Sequence, residues 1–281
     1  LTPSIDFIYF RAFTPRVMKL QKPTQTTEQL LKKEGRDIRQ MFTTIAPTYD
    51  LLNTLLSLGF DARWRRTAVE LVAPHAGAKI LDLCAGTAEL ALTFAQRLGP
   101  GGFVVATDFC WEMLALARPK LKRAVRGKTP AGTTSPAPKG EATCPVILVQ
   151  ADALNLPFPD STFDVVSVAF GIRNVSSLTN GLKEMTRVVK PGGRVVILEF
   201  SLPEGTLFGH LYRFYFHTLL PWLGNSIAPG RLRAYSYLPA SVGQFVRPEA
   251  LRREMESCGL TEAKSYPLTF GIVSAHVGKR P

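Results

Sequence analysis

Between residues 79 and 200 the chain alternates short apolar runs of strand character with amphipathic helical stretches, and that alternation admits few folds. Residues 79–84, 103–107, 146–150, 164–169 and 194–200 read as strands, and 89–98, 111–124 and 178–189 as helices, the last ended by Pro191-Gly192-Gly193. Strands joined through helices cannot pair as hairpins, so they form a parallel sheet with helices on both faces. The first four runs each end on a polar signal: Asp82 in KILDLCAGTAEL, Asp108 in VVATDFC, Asp152 in VQADALNLPFPD, and Phe170 to Asn174 in VVSVAFGIRN. Open parallel sheets bind ligands outside the carboxyl ends of their strands. Four strand ends therefore aim polar groups into one crevice.

The flanking segments are read with the same rules. Residues 26–58 read as helical, with Pro47 ending or kinking the helix near Ala46, and 64–72 as a further helix. Residues 248–258 form a helix stopped by Gly259, and 261–266 and 270–277 two last strands turned at 267–269. So short a link makes that pair antiparallel. Residues 1–25 are expected to be a disordered extension, and 26–281 a single domain. Its two interruptions are a basic loop insertion at 124–145 and a helical lid or cap at 202–245. The opening LTPSIDFIYFRAF is too short and too charged for a signal peptide, and no apolar run is long enough to span a membrane.

The formal charge of +12 is partly local. Arg118, Lys120, Lys122, Arg123, Arg126, Lys128 and Lys139 precede the first acid, Glu141. This stretch reads as a solvated loop, with contact to anionic headgroups as the sharper alternative. It holds no aromatic residue to stack on bases, and no nucleic-acid partner is expected. Cys84, Cys110, Cys144 and Cys258 form no CxxC pair, so buried free thiols are expected and no metal site.

The loop after the first strand discriminates among ligands. A dinucleotide fold uses G-x-G-x-x-G to bring backbone N–H groups to a pyrophosphate. In Asp82-Leu83-Cys84-Ala85-Gly86-Thr87-Ala88 only Gly86 remains. A carboxylate at Asp82 repels phosphate and attracts an ammonium or sulfonium, and S-adenosylmethionine carries both cations and no phosphate. Asp108 is placed to accept from ribose hydroxyls, and Asp152 to meet the adenine amino group. Met113 either packs on the adenine face or fills the core.

DLCAGT, TDFCWEML, DALNLPFPDSTFD, FGIRNV, RVVKPGGRVVILEFS and LTFGIVSAHVGK, together with FTTIAPTYDLLNTLLSLGFDARWRR upstream, resemble the class I C-methyltransferases of menaquinone and ubiquinone biosynthesis. The resemblance runs from about Lys32 to Lys279. It implies a Rossmann-like α/β fold, a mainly parallel seven-stranded sheet with a C-terminal antiparallel hairpin. It also implies S-adenosylmethionine as cofactor, and by position it puts cofactor contacts on Thr87, Asp108, Asp152 and Ala153. Two positions depart from the family. Ala88 stands where the family has Gly, which is tolerable where that residue needs no positive φ. Ala169 stands where some members have a cofactor-contacting Ser.

The implied reaction is methyl transfer to a ring carbon of a prenylated quinol. Arg173 is the first choice to stabilise a developing phenolate, and Asn174 to orient the ring hydroxyl or a water. Tyr49 and Asp50 are candidates for closing the site or relaying the proton. His217 and His276 qualify as bases by type, with a structural role the more ordinary reading. Phe208, Leu211, Tyr212, Tyr215 and Leu219 make one apolar helical face before Pro221, either packed on the sheet or serving as a lid that touches the bilayer. The cytoplasm is the expected location, with a peripheral contact to the inner face of the membrane left open. DLCAGT leans toward demethylmenaquinol over the benzoquinol precursor of ubiquinone. Three rival classes are a nucleic-acid methyltransferase, a nucleotide-binding module and a nicotinamide dehydrogenase. The first lacks its Asp/Asn-Pro-Pro-aromatic turn, the second has no use for the quinone-branch motifs, and the third lacks its glycines.

Overall fold

The computed structural model describes residues 27–57, 59–99, 101–125, 144–201, 203 and 232–281. The N-terminal extension, most of the basic insertion, and the lid segment carrying His217 and the Phe208-to-Leu219 face lie outside the described residues. Among the described residues seven strands share one sheet: β1 (Lys79–Leu83), β2 (Phe103–Asp108), β3 (Val146–Gln150), β4 (Phe163–Ala169), β5 (Val189–Phe200), β6 (Thr261–Leu268) and β7 (Val273–Lys279). Their order is β3-β2-β1-β4-β5-β7-β6. The first five pair in parallel, and β7 lies antiparallel to both β5 and β6. The chain leaves β1 toward β2 and β3, then returns to β4 on its other side. A crevice opens at the strand ends where the order reverses.

The two-residue period of the strands divides the core. Ile80, Val104, Val165 and Val196 face helices α4 (Phe60–Val72), α5 (Glu89–Leu98) and α6 (Trp111–Val125). Their neighbours Leu81, Val105, Val166 and Ile197 face α7 (Leu178–Val188) and, nearer the far edge, α9 (Pro248–Ser257). Strands buried on both faces carry near-continuous apolar runs.

The expected long N-terminal helix is three: α1 (Thr27–Leu31), α2 (Gly35–Ile45) and α3 (Tyr49–Leu56). Lys33 breaks the first join with a left-handed φ of 53° while its N–H bonds Leu30 O at 2.9 Å. Pro47 sits in the single 3-10 turn, Ala46–Thr48, that separates the other two. Helix α8 (Leu232–Gln244) lies within the expected lid and packs on α1 and α2.

Two boundaries differ from expectation. Pro191-Gly192-Gly193 does not stop α7, which ends at Val188, but forms a bulge inside β5. A Cβ on Gly193 would stand 2.8 Å from Asp164 O, so only glycine fits there. The last turn comes later than expected. Pro267 stays in the edge strand β6 opposite Ser274, where its missing N–H is tolerated. Thr269, Phe270 and Gly271, with φ of 45°, 55° and 84°, then reverse the chain.

His276 is no base of the crevice. It lies on β7 between Ile197 and Ser265, 2% exposed, with Nδ1 2.8 Å from Ser265 Oγ. Burial pushes its pKa down to about 4 from 6.5. The unfolded chain thus binds the extra proton between those values. The stability of the neutral ring is fully present above pH 6.5 and is lost toward pH 4, on the order of 3 kcal/mol in all. Burial of Asp82 and Asp108 acts with the opposite sign over part of this window. The difference between wild type and His276→Asn isolates the imidazole. Urea midpoints from pH 7 to pH 4 should show wild type losing stability relative to the variant, and parallel curves would refute the assignment.

Candidate active site

A cleft of about 890 Å³, open mouth included, lies at the carboxyl ends of β1 to β4. Its floor is the four loops that follow these strands. Its roof is Lys33, Ile38, Arg39, Phe42 and Tyr49 from α1 to α3.

The first loop coils tightly. Cys84, Gly86 and Ala88 have φ of 49°, 56° and 64°. The condition for tolerating Ala88 therefore fails, since it holds the left-handed geometry glycine adopts freely, as N-cap of α5. Gly86 N–H donates to Asp108 Oδ2 and Cys110 N–H to Asp108 Oδ1, both at 2.8 Å. The loop N–H that a pyrophosphate would need is already taken by a carboxylate, so this is no phosphate cradle. Burial raises Asp108 to about 6, against the pull of those N–H groups. Each carboxylate oxygen keeps a further lone pair for a hydroxyl, which suits a ribose diol. Asp152 lines the cleft with Oδ1 held by Leu154 N–H at 2.9 Å, an Asx turn, and Ala153 lies beside it. Met113 is 2% exposed and lines the inner wall, its Cε 3.4 Å from where a Cβ on Gly86 would stand. These groups suit the diol and base of an adenosine better than a phosphate.

Gly86, Asp108, Met113, Asp152, Ala153, Tyr49 and Asn174 line this one cleft; Asp82, Thr87, Asp50 and Arg173 do not. Asp82 shares the pleat direction of Ile80 and so faces the α5 layer behind the loop. It is 1% exposed and accepts from Ser167 Oγ at 2.8 Å, while among the described residues its Oδ2 has no partner. Burial pushes it up to about 7. It lies behind the cleft lining, at the base of the loop. Thr87 and Asp50 are held by each other: Thr87 Oγ1 donates to Asp50 Oδ1 at 2.6 Å, and Lys120 Nζ lies 2.6 Å from Asp50 Oδ2. This clamp fastens α3 to the start of α5 and to α6.

Arg173 is turned away from the cleft. Its guanidinium meets Glu199 at 2.8 Å, donates to Phe170 O and lies over the Phe200 ring at 5.5 Å. Both partners are buried, and among the described residues Arg173 Nε has no partner. The expected phenolate stabiliser is thereby a structural cation of the 170–174 turn. In that turn Phe170 is left-handed, with φ 55°, and its ring is 4.6 Å from that of Phe200. Tyr49 reaches the roof with its ring edge-on to Phe42. Burial raises its phenol, while Asn53 and Arg173 pull it back.

Four residues at or behind the site carried no role in the sequence reading. Lys33 lines the cleft, its amine pKa lowered by burial and by Arg173. Tyr237 of α8 donates to Asn174 Oδ1 at 2.9 Å. Cys84 lines the cleft half-buried, whereas the other three thiols are buried, Cys110 among them in the cleft wall. Glu199 had a visible signal, an acid inside the apolar run VVILEF. Lys33 and Tyr237 had none, because their neighbours come from distant segments.

The sequence model of the ubiE/COQ5 methyltransferase family matches residues 29–280. A demethylmenaquinone methyltransferase of Thermus thermophilus is 47% identical, over 86% of this chain and all of that protein. The ubiquinone/menaquinone biosynthesis C-methyltransferase UbiE of Geobacter sulfurreducens is 42% identical, over 92% of this chain and 94% of that one. Among solved structures, a SAM-dependent methyltransferase of Thermotoga maritima superposes with a TM-score of 0.56 at 16% identity, over 87% of this chain and all of that one. At that identity the likeness is one of fold.

The cleft floor depends on one close approach. A Cβ on Gly171 would stand 2.3 Å from Cys84 Cβ. Gly171→Ala is expected to cost about 1–3 kcal/mol through overpacking and to displace the turn. Cys84→Gly removes the clashing atom, and glycine accepts the positive φ of that position. The double variant should recover most of the lost stability in chemical unfolding, and an additive double variant would show that the contact is not what matters.

Proposed function

The chain belongs to the ubiE/COQ5 methyltransferase family, and on that premise we propose that it methylates a ring carbon of demethylmenaquinol with S-adenosylmethionine as donor. The observation that carries the reading is Asp108, fixed by two loop N–H groups as a diol acceptor in the same cleft as the 170–174 turn. The relatives named for demethylmenaquinone and for ubiquinone/menaquinone methylation support the substrate class.

Bound S-adenosylmethionine would supply an electrophilic methyl, with the S–CH3 electron pair staying on sulfur; the acceptor's ring carbon would provide the pair for the new C–CH3 bond and then lose its proton to water. The chain's residues bind, orient and exclude water. Asp108 takes the ribose hydroxyls. Asp152, Ala153 and Met113 form the wall for the base. Asn174 borders the acceptor ring, because it lines the cleft from the turn after β4. Lys33 is the amine that faces the same space, and a cation there favours a phenolate. A phenol ionises near 10 in water, so lowering that value raises the reactive fraction at neutral pH. Ile38 and Phe42 shut the roof against solvent. The substrate tail is lipid-soluble, which sets the enzyme to work against a membrane surface. Among the described residues no helix is long and apolar enough to cross one.

Cells lacking the protein should accumulate demethylmenaquinone when their quinones are profiled by mass spectrometry. Accumulated ubiquinone precursor would move the assignment to the benzoquinol branch, and an unchanged profile would end it. Asp108→Asn removes one charge-assisted acceptor. S-adenosylhomocysteine affinity by calorimetry should drop roughly 10- to 100-fold; an unaltered Kd would remove Asp108 from the donor site.

A further inference from the structure

Tyr237 joins the roof to the floor of the cleft. Its ring packs with Leu30, Ile38 and Met41, and it is 2% exposed. Its hydroxyl donates to Asn174 Oδ1 at 2.9 Å. A buried phenol needs an acceptor for its proton. Among the described residues Asn174 Oδ1 is the one it has. With Oδ1 turned to the phenol, the orientation of the Asn174 amide is set, and its NH2, a pure donor, lies on the other side of the amide. The roles do not interchange. An inverted amide would set NH2 against the phenol oxygen and strand the phenol proton. Burial holds the Tyr237 pKa near 12, so the hydroxyl stays protonated through the working range.

We infer that Tyr237 is a positioning residue of the reaction: its hydroxyl locks the Asn174 amide with NH2 toward the acceptor's ring oxygen, which meets a hydrogen-bond donor as it becomes a phenolate. The identity of the acceptor rests on the quinol reading above. Asn174 then meets the ring oxygen as a donor, with its Oδ1 held toward Tyr237. Donors fixed in advance at a developing oxyanion stabilise the transition state without reorganising.

Two variants and two readouts test this. Tyr237→Phe keeps the ring packing and removes the lock. Asn174→Asp keeps the shape and the bond from Tyr237 but cannot donate. With demethylmenaquinol, Tyr237→Phe should lower kcat roughly 10-fold, the loss of one hydrogen bond's orientation, with S-adenosylhomocysteine affinity unchanged. Asn174→Asp should lower kcat on the order of 100-fold or more. The second readout needs no turnover: absorbance titration of 1-naphthol bound to the S-adenosylhomocysteine complex. The naphthol pKa should fall on binding to wild type by about one unit, fall less with Tyr237→Phe, and rise with Asn174→Asp. An active Asn174→Asp, a Tyr237→Phe within twofold of wild type, an equal naphthol pKa in all three proteins, or naphthol that does not bind would each overturn the inference. A wild-type protein that shifts naphthol as expected yet methylates no quinol would support the lock and overturn the substrate reading.

Discussion

The turn after β4 hangs on one buried ion pair, Arg173 with Glu199, and most of the cleft depends on where that turn lies. Taking two charges out of water costs several kcal/mol per ion, so such a pair is a poor source of net stability. Its effect is to specify a conformation. The Arg173 guanidinium also holds the Phe170 carbonyl, which keeps Phe170 in a left-handed geometry a bulky residue avoids. With Phe170 fixed, Gly171 falls against Cys84 of the first loop and Asn174 comes within reach of Tyr237. Strain in the turn, contact with the neighbouring loop and contact with the roof all follow from one salt bridge behind the site.

Charge is sorted across the cleft. Asp108 and Asp152 lie at its floor, with Asp82 one layer behind. Lys33 belongs to the roof, and Arg173 stands behind the turn after β4. An acidic floor attracts a sulfonium and an ammonium and repels phosphate. A cationic neighbourhood near the turn favours the anionic form of an acceptor. A methyl transfer from a cation to a phenolate brings opposite charges together and neutralises them. This sorting suits both reactants before they meet. The ties that close the roof are polar: Asp50 with Thr87 and Lys120 at one edge, outside the cleft lining, and Tyr237 with Asn174 at the other.

Much of this was legible in the sequence. The strand-helix alternation from 79 to 200 dictated the parallel sheet, and the short link before residue 270 dictated the antiparallel end. Asp108 and Asp152 line the cleft because the residues at the strand ends face the crevice that opens there. Asp82 was misplaced because it lies within the strand, where the pleat, not the strand's end, sets its direction. Arg173 was misplaced because its partner Glu199 comes 26 residues later, on the next strand. Tyr237 went unread for a similar reason. Its hydrogen bond spans 63 positions, and nothing in the local pattern of α8 marks one aromatic as different from the next. Ala88 shows the reverse case: the residue type argued for an ordinary φ, and the tight return of the loop overrode it.

The position of β7 has a consequence for how the molecule is made. It is the last described strand, yet it lies between β5 and β6, hydrogen-bonded to both. While the chain is being synthesised, β1 to β5 can pair as soon as they emerge, but β5 then presents an open edge of N–H and C=O groups. That edge stays open until some seventy further residues have been added, by the sequence interval between Phe200 and Val273. The newborn protein thus passes through a stage in which a half-built sheet waits for a single strand from the far end of its own sequence. Another chain at the same stage carries the same open edge, which makes this interval, rather than the finished fold, the point at which two copies can pair wrongly.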